Sequence, residues 1–496
     1  MAQTAGGGVF SARYRALTTG VVLSVGLVAF ESLGVATVLP EIARGLDGLD
    51  AYGWGLSALM LAQILGAVVA GQDADRRGPG RPLALGLLVF AAGCVLAGVA
   101  GSWPMFLLGR FAQGLGVGAV MGMAYAMIGL AYPDGLRARM FALLSSAWTV
   151  PSLVGPTLAA VVADTVGWRG VFMLLPPLVA AAAVLTLPGA RALRPAASPA
   201  DEAAADKSAA DAAAVDQAAV DQAAVDQAAA DGADGPWWKG PVAASILLTA
   251  GTGLFIQALL LDRIAPLVVL AVLGLGAAVA AVGRVTPAGT LTARRGVGAG
   301  VALRFLLCGV YFGSEAFLPL GLTELRGVGA AAAGLGLSAG ALTWVAGSAL
   351  QAGRDGARRG DRTASMVLGS LVLLAGLAVM ALGVLADAVP PLTAVAGWAI
   401  GGLGMGVAFN AATTETTELA PAARQGEVGA ALQLAQTLAT AVISGIGGAT
   451  IAIAHAHGGR THTALVVTFV LTGCLAVLAA LLSFRVRPAK EAPVPR

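Results

Sequence analysis

Four charged residues stand inside long apolar stretches of this 496-residue chain: Glu31, Arg110, Arg304 and Glu315. An ionised side chain at the centre of a bilayer costs at least about 2.5–3.5 kcal/mol, so such residues face a partner or a water-filled cavity and mark a path for ions or polar substrates. A carboxylate there can take up and release protons, and a guanidinium can hold a carboxylate through charge-assisted hydrogen bonds. Two readings of Glu31 stand: a group that binds protons or substrate, or a fixed structural partner of Arg110. Arg304 and Glu315 are eleven residues apart, three turns along one helix face, so they share a lining without touching each other. Gln113, Trp148, Tyr311, Trp344, Trp398, Asn410, Gln433 and Gln436 are further candidates for a cavity wall. Each tryptophan serves equally well as an interfacial or packing residue.

Other chemistries find no support. Gly336-Leu337-Ser338-Ala339-Gly340 fits G-x-S-x-G, but a nucleophile elbow needs a strand-to-helix turn and a triad histidine. The histidines, His455, His457 and His462, crowd one connection around Gly458-Gly459, where a solvated loop is a plainer reading than a metal site. None of the three lysines follows a glycine, so the phosphate-cradling G-x-x-x-x-G-K-[ST] is missing. Any transport must therefore draw on an ion gradient. Cys94, Cys308 and Cys474 have no paired spacing, and neither a disulfide nor a metal is assigned to them. The chain reads as a non-enzyme with no catalytic residue and no cofactor.

The elements that must position these residues are membrane helices. Hydrophobic residues make up 57% of the chain and charged ones 11%, against roughly 25% charged in soluble domains, and mean hydropathy is +0.83. The apolar residues come in long separate blocks, so lipid surrounds them and each block must satisfy its own backbone as a helix. Fourteen windows of about twenty residues qualify, from 17–40 to 463–484. The first is too long for a signal-peptide core and carries Glu31, so it counts as a span. Placing both termini in the cytoplasm puts 23 of the 30 basic residues inside, five outside and two, Arg110 and Arg304, within spans, as the positive-inside rule demands. The net charge of +3 is loop charge of this kind and does not point to nucleic acid. Arg outnumbers Lys 27 to 3, a coding bias of GC-rich bacteria, so a bacterial cytoplasmic membrane is expected.

Between the sixth and seventh windows, Arg191 to Trp237 is rich in Ala and Asp and repeats Val215-Asp216-Gln217 at Val220 and Val225. A period of five fits neither strand nor heptad, and the acids repel one another, so the segment reads as a flexible or weakly helical tether. Binding of a partner is the rival reading.

Several motifs carry a resemblance. Gly71-Gln72-Asp73-Ala74-Asp75-Arg76-Arg77-Gly78-Pro79-Gly80-Arg81 resembles the loop motif of the major facilitator superfamily, G-x-L-a-D-R-x-G-R-[RK], matching at Gly71, Asp75, Arg76 and Gly78 and departing at Asp73, Pro79 and Gly80, with Arg81 as a substitute base. Arg110-Phe111-Ala112-Gln113-Gly114-Leu115-Gly116 is similar to the family's R-x-x-Q-G-x-G. Gly155-Pro156, followed by Gly167-Trp168-Arg169, resembles the antiporter signature, although Pro151, Ala159 and Ala160 stand where glycines are usual. Glu31, ahead of Leu39-Pro40, holds the position of the family's first-helix acid, and Glu315 ahead of Pro319 echoes it in the ninth window. Gly347-Ser348, Gly353-Arg354-Asp355 and Arg358-Arg359-Gly360 look like a worn copy of the loop motif.

The resemblance implies the fourteen-helix drug:proton antiporter branch, of the actinobacterial multidrug-efflux type. It implies an all-α membrane fold with a six-helix bundle over 1–188, a disordered acidic linker over 189–237, two inserted helices over 238–290, a second six-helix bundle over 291–485 and a tail over 486–496. It implies proton coupling through Glu31, Arg110 and Glu315, and a charge lock formed by Asp75 with Arg76 and Arg81 around Gly71 and Gly78. Read as bare sequence, the same loop is only a topology signal. Gly114, Gly116, Gly155 and Pro156 are expected to let helices pack closely. The expected partners are a small-molecule substrate, protons and membrane lipid, and the expected state is a monomer. Export of amphiphilic or drug-like molecules is the leading reading; proton-coupled uptake of a metabolite and a non-transporting sensor or scaffold are its rivals.

Overall fold

The computed structural model describes residues 8–193, 240–261, 263–357, 362–420, 424–456 and 460–487. The acidic repeat, Arg358-Arg359-Gly360, His457 and the tail beyond 487 lie outside the described residues. Fourteen helices are long and apolar enough to cross a membrane, and no strand occurs among the described residues. They are α1 (Arg15–Gly45), α2 (Trp54–Arg77), α3 (Gly80–Gly98), α4 (Trp103–Ala131), α5 (Asp134–Val166), α6 (Trp168–Met173, resuming as Leu175–Ala192), α7 (Pro241–Ala258), α8 (Ile264–Val285), α9 (Val297–Glu315, resuming as Leu318–Glu324), α10 (Ala330–Ala357), α11 (Thr363–Leu385), α12 (Leu392–Glu418), α13 (Gln425–Ala456) and α14 (Thr461–Leu482).

Two boundaries differ from expectation. Gly189 to Ala192, expected in the linker, close the last turn of α6, where Gly189 packs on Leu17 and Ala190 is fully buried. Val486 and Arg487, expected in the tail, are held in place: Val486 is buried and Arg487 pairs with Glu415 at 3.1 Å. The helix breaks have local causes. Gly78 and Gly167 adopt φ of +80° and +91° between successive helices, a region open to glycine at no steric cost. In α9 the missing N–H of Pro319 ends the ladder just after Glu315.

With no water to expel from between them, helices in lipid associate through close contact, and small residues set how near two backbones come. The glycines of α4 serve two faces. A Cβ at Gly114 or Gly118 would lie 2.1 Å from the carbonyl oxygens of Leu59 and Gln63 in α2, while Gly109 and Gly116 meet α3 at Ala97 and Phe90. In α12, Gly402 and Gly406 approach the carbonyls of Gly340 and Trp344 in α10 at the same 2.1 Å, and Gly397 and Gly404 meet α11 at Met380 and Leu373. Each α12 glycine stands 288 positions after its α4 counterpart. The neighbours repeat as well: α1 packs on α5 and α6 as α9 does on α13 and α14, and α3 on α6 as α11 on α14. Gly347 therefore answers to Gly66, since each lies against α12 or α4, at Leu403 and Leu115 respectively, and its assignment to a copied loop motif is corrected.

The two six-helix groups meet through α5 with α10 and through α2 with α13. Gly334 of α10 sits on the carbonyl of Pro156 and on Thr37, while Gly53 sits on Ser444 and Gly448. The Tyr52 hydroxyl donates to the Ala316 carbonyl at 3.3 Å, beside the α9 break, and Ser57 donates to Ala441 at 2.8 Å. Arg44 pairs with Glu324 at 3.0 Å and His455 lies 3.5 Å from Asp50. These contacts cluster at the end of the bundle that carries the α1–α2 and α9–α10 connections. His455 and His462, expected in a loop, fall instead on the ends of α13 and α14.

Gly118→Val and Gly406→Val should therefore each force two backbones apart and lower the melting temperature in detergent, at an overpacking cost of about 1–3 kcal/mol. Gly71→Val and Gly353→Val, with nothing within 4 Å of the added Cβ, should leave it unchanged. Equal melting of all four variants would show that the glycine register does not hold the bundle.

Candidate functional site

In the first group, Glu31 of α1 and Arg110 of α4 form an ion pair with relative exposures of 0% and 1%. The guanidinium is fixed on its remaining sides, since Nε donates to the Gly55 carbonyl at 2.9 Å and Nη1 donates to Gln113 Oε1 at 2.9 Å. Gln113 in turn donates through Nε2 to Cys94 Sγ at 3.2 Å. Gln113 is thus fully buried and engaged in holding Arg110, which corrects its assignment to a cavity wall. Glu31 Oε2 has no hydrogen-bond partner among the described residues. Breaking a buried pair strands the remaining charge at a cost of about 3–5 kcal/mol, so α1 and α4 are strongly tied.

At the corresponding place in the second group stands Trp398, 288 positions after Arg110. Its ring stacks on Tyr311 of α9 with centroids 4.3 Å apart and planes 25° apart. Trp344 of α10 meets Tyr311 edge-on at 4.9 Å and Phe409 of α12 at 5.0 Å. Phe312 lies 5.7 Å from Trp344. The Arg304 guanidinium lies 3.5 Å from the Phe409 ring centroid and donates to Thr413 Oγ1 at 2.6 Å, an arrangement in which the ring quadrupole stands in for a counter-anion. Gly340 makes the stack possible, because its missing Cβ would fall 2.3 Å from Trp398 Nε1 and 2.9 Å from the Tyr311 oxygen. The residues that spell G-x-S-x-G thus serve packing on a helix, with Ser338 donating to the Gly334 carbonyl.

Glu315 occupies the end of the first segment of α9, 8% exposed and without an ion pair among the described residues. It shares a face with Tyr311, one turn away, and with Arg304. Along α13, Gln436, Thr440 and Ser444 follow one another at four-residue spacing, with Gln433 one turn before Gln436. Gln433 is exposed, Gln436 and Asn410 are half-buried, and Trp148 is 36% exposed.

Around the α2–α3 connection the charges pair differently from the motif. Asp73, where the family favours Leu, lies 3.6 Å from Arg77 and 3.5 Å from Arg81. Asp75 and Arg76 are exposed and make no ion pair among the described residues. In the other group the Arg362 guanidinium reaches Glu415 at 3.1 Å and Glu418 at 2.6 Å. Gly155 packs on Phe30. After it, Trp168 and Phe172 meet Phe106 edge-on, and Arg169 donates to the Ala100 carbonyl at 2.9 Å, so Gly-Trp-Arg ties α6 to the ends of α3 and α4. Sequence reading missed Phe409, Thr413 and Asp73. The 288-residue interval would have drawn the aromatic cluster together, because it sets Trp398 at the position equivalent to Arg110.

The comparisons with known proteins agree with this architecture. Residues 21–314, more than half of the chain, match the Major Facilitator Superfamily. Multidrug resistance protein 3 of Bacillus subtilis (strain 168) is 28% identical over 159 residues, 32% of this chain and 31% of that relative. A probable multidrug-efflux transporter of Mycobacterium tuberculosis is 28% identical over 173 residues, 34% of this chain and 37% of the relative. The chain thus matches about a third of the length of each relative. Among solved structures, a D-xylose-proton symporter superposes with a TM-score of 0.65 over 96% of this chain and 98% of its own, at 15% identity. An auto-inhibited POT family peptide transporter gives 0.66 over 96% and 99%, at 16% identity. At such identities these two establish a shared fold and nothing more. Fourteen apolar helices, twelve of them in two equivalent groups of six, together with a match over more than half the sequence, establish that this chain is a multi-pass membrane protein belonging to the Major Facilitator Superfamily.

Proposed function

We propose that the protein exports small amphiphilic molecules across a bacterial cytoplasmic membrane in exchange for protons, and that the conformation described here is the one that loads substrate from the cytoplasm. The basic residues support this orientation: Arg44, Arg169, Arg263, Arg326 and Arg460 lie at the end where the two groups meet, and the positive-inside rule favours that sparsely basic end as the outer one. The names of the relatives support efflux. The observation that carries the site assignment is the aromatic cluster of α9, α10 and α12, beside a carboxylate without an ion pair among the described residues, and there we place the substrate chamber. Phe312, Trp344 and Phe409, all half-buried, supply flat apolar surface for an amphiphile. The Tyr311 hydroxyl and Trp398 Nε1 are buried without a hydrogen-bond partner among the described residues and would offer polar contacts to it once the stack parts.

Two carboxylates divide the work. Protonating Glu31 in this state would leave Arg110 as an enclosed, uncompensated cation, so the pair acts as a tie between α1 and α4. Glu315 carries no such penalty, and it adjoins the α9 break at Pro319, where irregular backbone borders a binding cavity. Proton and substrate compete at Glu315, and the halves rock about the chamber. Asp73, Arg77 and Arg81 act at the cytoplasmic end, and the open space around Gly71 closes when that end does.

In proteoliposomes with an imposed pH gradient, Glu315→Gln should lower proton-driven efflux at least ten-fold while retaining binding of an amphiphilic dye. Glu31→Gln should instead lower the melting temperature sharply, by the stranding of Arg110. The reverse pattern would move the proton site to Glu31, and accumulation that runs with the proton gradient would establish uptake in place of export. Trp344→Ala should weaken binding of an aromatic amphiphile several-fold, as the loss of an aromatic contact worth about 0.5–1.5 kcal/mol implies. Unchanged dye affinity in a titration would place the substrate elsewhere.

A further inference from the structure

The least buried of the fourteen spans is α8, with 17% of its window buried, and among the helices its extensive contacts are with α7 alone. A groove of about 580 Å³ separates it from α9, α13 and α14. Its walls are almost wholly apolar, for example Val279, Val301, Leu438 and Leu478, and Val279 and Leu478 are 43% and 52% exposed, so the groove opens sideways into lipid. Such a space has the bulk of about one acyl chain. At its end stands Arg485, and the α8–α9 connection, which lines the groove at Thr290 and Leu291, carries Arg294 and Arg295 just after the Arg284 of the last α8 turn. All four arginines are exposed, and no Asp or Glu occurs from Arg284 to Glu315. Among the described residues none of the four makes an ion pair. The connection is also bound to the end of α14, since Gly296 N–H donates to the Arg485 carbonyl at 3.1 Å.

The geometry points to a built-in site for one anionic phospholipid, with an acyl chain filling the groove between α8 and the second six-helix group and the phosphate held by Arg284, Arg294, Arg295 and Arg485. An apolar slot alone accepts any tail, so the unmatched cluster of positive charge at headgroup level is what selects an anionic head. The lipid completes a contact that the helices leave open, and it fastens the inserted α7–α8 pair to the group it flanks. This inference does not depend on the direction of transport.

The test uses the full chain in nanodiscs of phosphatidylglycerol or phosphatidylcholine with identical acyl chains, read by native mass spectrometry and thermal unfolding. The wild-type protein should retain one phosphatidylglycerol through delipidation and melt higher in that lipid. Arg→Gln at the four positions should remove both effects, with retention falling about five-fold per arginine, and Arg→Lys at the same positions should largely restore them. Val279→Trp, which fills the groove from its lipid-facing side, should release the lipid from a chain that still folds. Equal retention of the two lipids, or retention indifferent to both sets of variants, would overturn the assignment. Displacement of the phosphatidylglycerol by an amphiphilic dye at equal concentration would also overturn it, identifying the groove as a lateral entrance for substrate.

Discussion

Backbone-to-backbone contact along α4 and α12 is the constraint from which the rest of the structure follows. In water a helix can be held by burying any apolar stripe, but in lipid the tails are as apolar as leucine, so association rests on how closely surfaces fit. Glycines alternating between two faces let α4 touch α2 and α3 together, and α12 touch α10 and α11 in the same way. Where a Cβ would stand 2.1 Å from a carbonyl oxygen, there is no room for one helix to slide or roll on the other. Each trio therefore moves as one body, and what can change is the relation between the trios.

On that common frame the two groups have diverged at one equivalent place. In the first, a buried guanidinium holds a carboxylate, a backbone carbonyl and a glutamine side chain. In the second, the same helix position carries Trp398, which stacks on a tyrosine. An ion pair enclosed in protein is rigid because every alternative leaves a bare charge. An aromatic stack is held by area and quadrupole alone, and its neighbours Phe312, Trp344 and Phe409 remain partly open. Rigidity on one side and flat, partly open aromatic surface on the other are what the proposed export of amphiphilic molecules would draw on.

How much of this was legible in the sequence depended on the range of the interaction. The spans were legible because bilayer thickness imposes a length on each of them, and Gly114, Gly155 and Pro156 were legible because a short motif names them. The pairing of Glu31 with Arg110 was one of two open readings, since two opposite charges in lipid tend to find each other. The function of Gln113 was not legible: a polar residue in a span can face a cavity or a neighbour, and only the approach of Cys94 and Arg110 decides it. Asp73 was passed over because it departs from the family's leucine, yet its position four residues before Arg77 makes it the nearest acid to that base. Arg304, Tyr311, Trp344 and Trp398 were legible singly as lining candidates, but their association in one cluster was hidden for a different reason. Its members come from three helices, and the repeat that relates them to the first group survives chiefly in glycines, which carry little signal in a chain with 69 of them.

The strength of the contacts at the closed end also bears on how the molecule can move. The contacts within each trio are steric and cannot be relaxed by degrees, whereas those between the groups combine glycine contacts at Gly53, Gly334 and Gly448 with a small set of polar bonds. The Tyr52 and Ser57 hydrogen bonds are worth about 1 kcal/mol each. Arg44 and Glu324, 52% and 31% exposed, form the kind of surface pair that contributes about 0–1 kcal/mol. The polar part of the seal is small enough for the differential affinity of a bound ligand to offset, because a few kcal/mol is enough to reverse a two-state population. Under the proposed export the trios would keep their backbone contacts, and the interface between the two groups, closed at Gly53 and Gly334 and by these polar bonds, would be the one to open.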